Sequence, residues 1–177
     1  MSAITFLLGG VRSGKSALAV EIGERHDGAV LFVATAQPFD DDLTLRIDRH
    51  RRDRPQWPTI EAPMDLAAAV ASSDPAALVI VDCLTVWVAN LLHHGSTPEA
   101  VIHDADALVT RLLAREGPAV VVSNETGMGV HAETPLGRCY ADLLGTVNTL
   151  VAAAADRTLL LVAGRVLALT DPWGALA

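Results

Sequence analysis

Short apolar runs alternate along the chain with segments in which apolar residues recur at helical spacing. The apolar runs predict buried strands at residues 4–8, 30–34, 78–82, 119–123 and 158–163, with shorter strands at 59–61 and 165–169. Helical spacing predicts helices that begin at residue 17 and that span residues 65–72, 85–94, 98–116 and 136–155. A further helix is predicted after the acidic residues 40–42, since Leu43, Ile47 and His50 share one face of it. Such alternation is typical of an α/β protein with a mostly parallel sheet and helices on both faces.

The first predicted strand runs directly into a segment that fits the phosphate-loop pattern G-x-x-x-x-G-K-[ST] in full. The members of this loop are Gly9, Gly10, Val11, Arg12, Ser13, Gly14, Lys15 and Ser16. Backbone N–H groups of such a loop surround nucleotide phosphates, and the following helix N-terminus adds positive potential. Lys15, the only lysine of the chain, is predicted to reach the β- and γ-phosphates, and the Ser16 hydroxyl to bind Mg²⁺. The alternative is a glycine-rich turn with a solvated lysine, but the flanking strand and helix favour a nucleotide-binding protein.

Composition and charge narrow the class of protein. With 177 residues, of which 51% are hydrophobic and 19% charged, the chain is expected to form one domain, residues 1–177, with a well-buried core. The net charge of −8 argues against a nucleic-acid surface, which needs a basic face. Cys83 and Cys139 lack C-x-x-C spacing, and neither a signal peptide nor a membrane-length apolar run is evident. These features predict a soluble, cytoplasmic protein.

Two acidic residues are expected at the edge of the sheet where ligands bind. Asp82 ends a predicted strand, and in a phosphate-loop protein such an acid commonly holds Mg²⁺; the alternative is a cap for the helix that follows. Glu125 follows another strand, within residues 124–129, and is expected to orient a hydroxyl or a metal-bound water. The alternative for Glu125 is a solvated acid in a turn.

His50 lies in the only local basic cluster of this acidic chain. The cluster contains Arg49, Arg51, Arg52 and Arg54. A neutral imidazole can attack the α-phosphorus of a nucleotide and form a phosphoramidate while pyrophosphate leaves, and guanidinium groups stabilise the charge that develops. On spacing alone the alternatives stay open, namely a histidine packed on a helix face and arginines paired with neighbouring aspartates such as Asp53.

The order of these motifs resembles the bifunctional adenosylcobinamide kinase/adenosylcobinamide-phosphate guanylyltransferase family of cobalamin biosynthesis, nearly from end to end. The matching segments are residues 9–16, 34–37, 46–55 with Trp57, 82–92, 123–129, 145–148 and 155–156. Because many unrelated proteins share the phosphate loop, the ordered set of segments carries the resemblance.

The resemblance implies two reactions. The first transfers a γ-phosphoryl group from ATP or GTP to the aminopropanol hydroxyl of adenosylcobinamide. The second transfers GMP from GTP to that phosphate, through the histidine that aligns with His50, and gives adenosylcobinamide-GDP and pyrophosphate. The resemblance also implies a RecA-like sheet and a homotrimer.

Guanine-nucleotide contacts are implied in the same way. They fall on the phosphate loop, Thr35, Ala36, Gln37, Arg51, Arg52, Asp53, Arg54, Glu61 and Asp82. The chain departs from the family pattern at Ala141, where members often carry an arginine, and in residues 130–133, which lack a common proline.

Two other functions are compatible with a phosphate loop. A kinase for another small alcohol would form no covalent intermediate, so it would take up no acid-labile label from α-labelled GTP. A nucleotide-binding regulatory or assembly module would bind GTP and give no turnover with cobinamide.

Overall fold

A seven-stranded sheet forms the centre of the protein in a computed structural model, which describes residues 3–37 and 55–176. The strands are β1 Ile4–Gly9, β2 Val30–Ala34, β3 Thr59–Glu61, β4 Leu78–Asp82, β5 Ala119–Val122, β6 Arg157–Val162 and β7 Arg165–Leu169. Their order across the sheet is β3-β2-β4-β5-β1-β6-β7. All neighbours run parallel except β6 and β7, which form an antiparallel pair at one edge. The predicted mostly parallel sheet is therefore confirmed.

Six helices are present in the described part of the chain. They are α1 Lys15–Glu24, α2 Leu66–Ala71, α3 Leu84–His93, α4 Pro98–Leu113, α5 Pro135–Ala154 and α6 Pro172–Ala175. Local capping fixes where the two longest begin, because the Thr97 and Thr134 hydroxyls accept hydrogen bonds from backbone N–H groups in the first turns of α4 and α5. None of these described helices is both long enough and apolar enough to cross a bilayer.

Among the described helices, two depart clearly from the sequence prediction. The helix predicted over 98–116 ends at Leu113, because Arg115 turns inward and donates hydrogen bonds to the connection that precedes β4. The short α6 was not predicted; the Asp171 side chain caps it by accepting from two backbone N–H groups. The helix predicted after residues 40–42 lies outside the described residues.

Alternate residues of each central strand enter two separate cores. In β1, Phe6 and Leu8 belong to a large cluster that the helices α2 to α5 cover. Leu7 belongs to the opposite cluster, which includes Ala19 of α1 and is packed against by Trp57. Burial of both sheet faces explains why the central strands read as continuous apolar runs. Helices cover both faces, as the sequence predicted.

The strand register aligns the carboxyl ends of the central strands. Glu61 is opposite Ala34, Ala34 is opposite Asp82, and Asp82 is opposite Val122. Val122 is in turn opposite Leu7 of β1, two residues before the phosphate loop. The segments that follow β1, β2, β4 and β5 therefore leave the sheet at one common edge, where open parallel sheets bind ligands.

Candidate functional site

The phosphate loop joins β1 to α1 with the backbone conformations that its glycines permit. Gly9 has φ of 148°, and a Cβ added there would lie 2.3 Å from the carbonyl oxygen of Leu161. Gly14 precedes α1 with φ of 104°, a value that L side chains rarely adopt. The loop is also held from outside, since the Gly164 N–H donates to the Ser13 carbonyl oxygen at 2.9 Å. The strand–loop–helix arrangement that the sequence predicted is thus present.

The Lys15 side chain lies within this loop. Its Nζ donates to the carbonyl oxygens of Gly9 at 2.8 Å and Gly10 at 2.7 Å, and to the Ser13 hydroxyl at 3.3 Å. The residue is only 7% exposed. Burial lowers the pKa of Lys15, while the nearby Cys83 and Asp82 act in the opposite direction. The amine is therefore enclosed by the loop that is expected to bind phosphates.

The N-terminus of α1 adds further donors to the loop. Gly14 is the N-cap residue and, as a glycine, contributes no side chain to cap the helix. The first backbone N–H groups of α1 have no intrahelical acceptors, and such groups bind anions well. Ser16 follows in the first turn and is half-buried. This end of the helix has the chemistry of a phosphate site.

Asp82 and Ser16 each carry oxygen atoms of the kind that bind Mg²⁺. Asp82 is the last residue of β4, and its charge acts on both Lys15 and Cys83. The N-cap position of α3 is occupied by Cys83, which argues against the alternative role of Asp82 as that cap. Mg²⁺ is usually bound by one or two protein ligands together with phosphate oxygens and water. In residues 3–37 and 55–176 no group of three His, Cys, Asp or Glu is arranged to hold a metal alone.

Thr35 joins the segment after β2 to the segment after β4. Its hydroxyl donates to the Cys83 carbonyl oxygen at 2.8 Å and accepts from the Cys83 N–H at 2.9 Å. Its own carbonyl oxygen accepts from the Asn90 side chain at 2.8 Å. Thr35 is fully buried, so its hydroxyl serves the backbone beside Asp82.

The thiol and the phenol at this edge are poor nucleophiles. Burial, reinforced by the Asp82 carboxylate, raises the pKa of Cys83 to about 11. Burial, with a smaller contribution from Cys83, raises the pKa of Tyr140 to about 12. Both groups therefore keep their protons at neutral pH, which disfavours either as the carrier of a covalent intermediate.

The segment after β5 lies directly against the phosphate loop. The Glu125 N–H donates to the Gly9 carbonyl oxygen at 3.2 Å. The Glu125 carboxylate accepts, through Oε1, from the Gly127 N–H at 2.6 Å. The expectation that Glu125 lies at the same edge as Asp82 is confirmed by the strand order and register.

Three supporting residues were not predicted from the sequence. The Thr85 hydroxyl accepts from the Asn124 N–H at 2.7 Å, and the Asn148 side chain donates to the Asn124 carbonyl oxygen at 3.0 Å. Asn90 donates to Thr35 and also to the Pro63 carbonyl oxygen at 3.0 Å. Asn90 and Asn148 are 1% and 6% exposed, and a polar amide on the apolar face of a helix was the signal that could have identified them.

The predicted site residues fall into two groups. The first group lies at the common edge of the sheet and comprises the phosphate loop, Thr35, Ala36, Gln37, Glu61 and Asp82. Glu61 is exposed at the end of β3. The second group lies outside the described residues and comprises His50, Arg51, Arg52, Asp53 and Arg54.

Solved structures share this fold at low sequence identity. A protein from Pyrococcus horikoshii has a TM-score of 0.56 and 9% identity, over 94% of this chain and 85% of that chain. The RadB recombinase has a TM-score of 0.50 and 16% identity, over 89% of this chain and 73% of that chain. At these identities the likeness shows the fold alone, which is the RecA-like fold that the sequence resemblance implied.

Sequence comparison identifies closer relatives. The bifunctional adenosylcobalamin biosynthesis protein CobP of Pseudomonas aeruginosa is 40% identical over 160 residues, which cover 89% of this chain and 92% of the relative. The bifunctional adenosylcobalamin biosynthesis protein CobU of Escherichia coli is 34% identical over 171 residues, which cover 88% and 93%. The model of the CobU family, described as cobinamide kinase / cobinamide phosphate guanyltransferase, matches residues 5–169. The chain belongs to this family.

Proposed function

We propose that the protein phosphorylates adenosylcobinamide with ATP or GTP and then transfers GMP from GTP to the resulting phosphate. The family assignment supports both reactions. The structural observation that carries the proposal is the position of Lys15, whose amine is enclosed by the phosphate loop at the edge where Asp82 ends β4. One loop is proposed to hold the nucleotide for both steps.

In the first reaction the loop and the N-terminus of α1 bind the phosphates. The proposed nucleotide contacts in the described chain are Gly9, Gly10, Val11, Arg12, Ser13, Gly14, Lys15, Ser16, Thr35, Ala36, Gln37, Glu61 and Asp82. Lys15 balances charge on the transferring phosphoryl group. Ser16 and Asp82 would hold Mg²⁺, which neutralises phosphate charge when bound. The acceptor oxygen forms its bond to the γ-phosphorus as the bond from that phosphorus to the β-γ bridging oxygen breaks.

In the second reaction His50 is proposed to carry GMP. Its imidazole attacks the α-phosphorus of GTP, and pyrophosphate leaves. An oxygen of adenosylcobinamide phosphate then takes the GMP and frees the imidazole. Arg51, Arg52 and Arg54 stabilise the charge on the phosphates, with Asp53 as a further nucleotide contact. Support for these roles comes from the basic cluster in the sequence and from the resemblance.

The wider setting is also part of the proposal. A cytoplasmic homotrimer is expected from the resemblance and composition, and the net charge of −8 argues against nucleic acid as a partner. Light scattering after size-exclusion chromatography tests the trimer, which a monomeric mass at working concentration would contradict.

The experiment uses GTP labelled at the α- or the γ-phosphorus, with adenosylcobinamide as acceptor. Wild-type protein is expected to transfer γ-label to the corrinoid and to take up α-label as an acid-labile adduct. The adduct should be absent from His50→Ala and present in His103→Ala, which alters an exposed histidine of α4. An adduct that persists in His50→Ala would refute the assigned carrier.

The same labels separate the other candidate functions. Phosphorylation without any α-label uptake would indicate a kinase that transfers no nucleotide. Binding of GTP with no corrinoid product would indicate a regulatory module. Lys15→Met is expected to abolish both corrinoid products, because the loop serves both steps.

A further inference from the structure

A second acidic residue, besides Asp82, contacts the phosphate loop through its backbone. β5 is located between β4, which ends in Asp82, and β1, which leads into the loop. Residues 123–125 therefore leave the sheet between these two parts of the site. Glu125 is the acidic residue of this segment, and its N–H donates to the Gly9 carbonyl oxygen at 3.2 Å.

Hydrogen bonds hold this segment from three directions. On the side of β1, the Ser123 N–H donates to the Leu7 carbonyl oxygen at 2.9 Å. On the side of α3, the Asn124 N–H donates to the Thr85 hydroxyl, and on the side of α5 the Asn124 carbonyl oxygen accepts from Asn148. A group attached to such a segment keeps its position relative to the loop, as a catalytic group requires.

The Glu125 carboxylate is oriented by one of its two oxygens. Oε1 accepts from the Gly127 N–H at 2.6 Å, within the same segment. For Oε2 the structure gives no hydrogen-bond partner among residues 3–37 and 55–176. One oxygen therefore fixes the side chain while the other can accept a proton.

We infer that Glu125 accepts the proton of the acceptor hydroxyl during phosphoryl transfer and takes no part in GMP transfer; this inference rests on the proposed function. The hydroxyl oxygen forms a bond to the γ-phosphorus, and its proton moves to Oε2 of Glu125. The electron pair of the bond between the γ-phosphorus and the bridging oxygen leaves with the nucleoside diphosphate. A positioned carboxylate has this role in other phosphoryl transfers to alcohols.

The two acceptors differ in their need for a base. An alcohol is protonated at neutral pH, so its oxygen gains nucleophilicity when a base removes the proton. A phosphate monoester has a second pKa near 6, so its oxygens already carry charge at neutral pH. Loss of Glu125 should therefore affect the first reaction and spare the second. Asp82, as a proposed Mg²⁺ ligand, should affect both.

The test measures the two reactions separately. One assay follows phosphorylation of adenosylcobinamide by ATP, and the other follows GMP transfer from GTP to adenosylcobinamide phosphate that was prepared beforehand. Glu125→Gln is expected to lower kcat of phosphorylation by about 100-fold or more, the effect typical of losing a general base. KM for ATP and the rate of GMP transfer should stay within about threefold of wild type, since neither depends on the base.

Two controls keep the result interpretable. The amide oxygen introduced by Glu125→Gln can still accept from Gly127, so folding should be retained, and thermal unfolding checks this. Glu133→Gln removes an exposed carboxylate further along the same connection and should leave both assays unchanged. If Glu125→Gln unfolds, Glu125→Asp is used instead. This variant retains the carboxylate on a side chain shorter by one methylene, and it should slow phosphorylation without slowing GMP transfer.

Normal phosphorylation by a folded Glu125→Gln would overturn the inference. So would equal loss of both reactions, because that pattern means a structural role. Asp82→Asn provides the comparison, with both reactions expected to fall. If wild-type protein performs neither reaction, the proposed function itself has failed, and this outcome is distinct from failure of the role of Glu125.

Discussion

The hydroxyl of Thr35 bonds to both backbone polar groups of Cys83, as donor to the carbonyl oxygen at 2.8 Å and as acceptor from the N–H at 2.9 Å. The two residues follow neighbouring strands, β2 and β4, and Cys83 comes directly after Asp82. The Thr35 N–H also donates to the Asp82 carbonyl oxygen at 3.2 Å. One buried side chain thus fixes the backbone that positions the proposed Mg²⁺ ligand.

Thr35→Val should lower both stability and nucleotide affinity. It leaves two backbone polar groups of Cys83 without their partner, so the free energy of unfolding should fall by roughly 1–3 kcal/mol. Denaturant titration measures the stability, and GTP binding in the presence of Mg²⁺ measures the effect on the site. Thr35→Ser retains the hydroxyl and serves as the matched control; equal stability of the Val and Ser variants would contradict the role of this bridge.

Adjacent glycines of the loop should respond differently to alanine. At Gly9 an added Cβ would lie 2.3 Å from the Leu161 carbonyl oxygen, and the φ of 148° disfavours any L side chain. Gly9→Ala should therefore cost at least about 2 kcal/mol of unfolding free energy. At Gly10 an added Cβ meets no atom of residues 3–37 and 55–176 within 4 Å, so Gly10→Ala should stay within about 0.5 kcal/mol of wild type. Thermal unfolding of Gly9→Ala and Gly10→Ala tests this difference, and similar melting temperatures of the two variants would contradict it.

The sheet and the loop could be predicted because local signals and tertiary structure agree there. Apolar runs identified β2 and β4 with their observed bounds, since strands buried on both faces need continuous apolar residues. The phosphate-loop pattern placed Lys15, and the strand ends placed Asp82 and Glu125 at one edge. Each of these predictions depends on residues close together in the chain.

The hydrogen-bond network between segments could not be predicted in the same way. Thr35 meets Cys83 across 48 positions of the sequence, and Asn90 meets Thr35 across 55. No local pattern specifies which buried amide or hydroxyl finds which backbone group. The early end of α4 has the same origin, since it follows from contacts that Arg115 makes with residues far back in the chain.

Arg115 should contribute strongly to stability at the amino ends of the strands, opposite the edge where the phosphate loop lies. Its guanidinium is buried and donates to the carbonyl oxygens of Asp74 at 2.9 Å and Ala77 at 2.6 Å, and also to the Ser73 hydroxyl. Arg115→Met removes these hydrogen bonds, including the one to the buried Ala77 carbonyl oxygen, and should cost roughly 2–4 kcal/mol of unfolding free energy. Arg111→Met, at an exposed position of α4, is the control with little expected change. Chemical denaturation of both variants tests this, and equal midpoints would contradict it.

The Cys83 thiol should make stability depend on alkaline pH. The pKa of Cys83 is raised to about 11 in the folded protein from an ordinary value of 9.0, so the folded state keeps a proton that the unfolded state loses. The stabilisation that this difference in pKa gives the folded protein is fully present below pH 9 and declines as the pH rises towards 11. Unfolding free energies measured across this range should fall less steeply for Cys83→Ala than for wild type. A slope for Cys83→Ala equal to that of wild type would refute the linkage.

The most direct measurement of the central claim uses the single lysine of the chain. An acyl-phosphate derivative of GTP or ATP transfers its acyl group to an amine that lies against the phosphates. Burial lowers the pKa of Lys15, which favours the reactive neutral amine at a given pH. Peptide mapping by mass spectrometry should find the adduct on Lys15, and excess unmodified GTP or ATP should suppress it. Two results would contradict the claim that this loop holds the nucleotide. One is labelling of Lys15 that excess GTP or ATP does not reduce. The other is protein that forms corrinoid products while its Lys15 remains unlabelled.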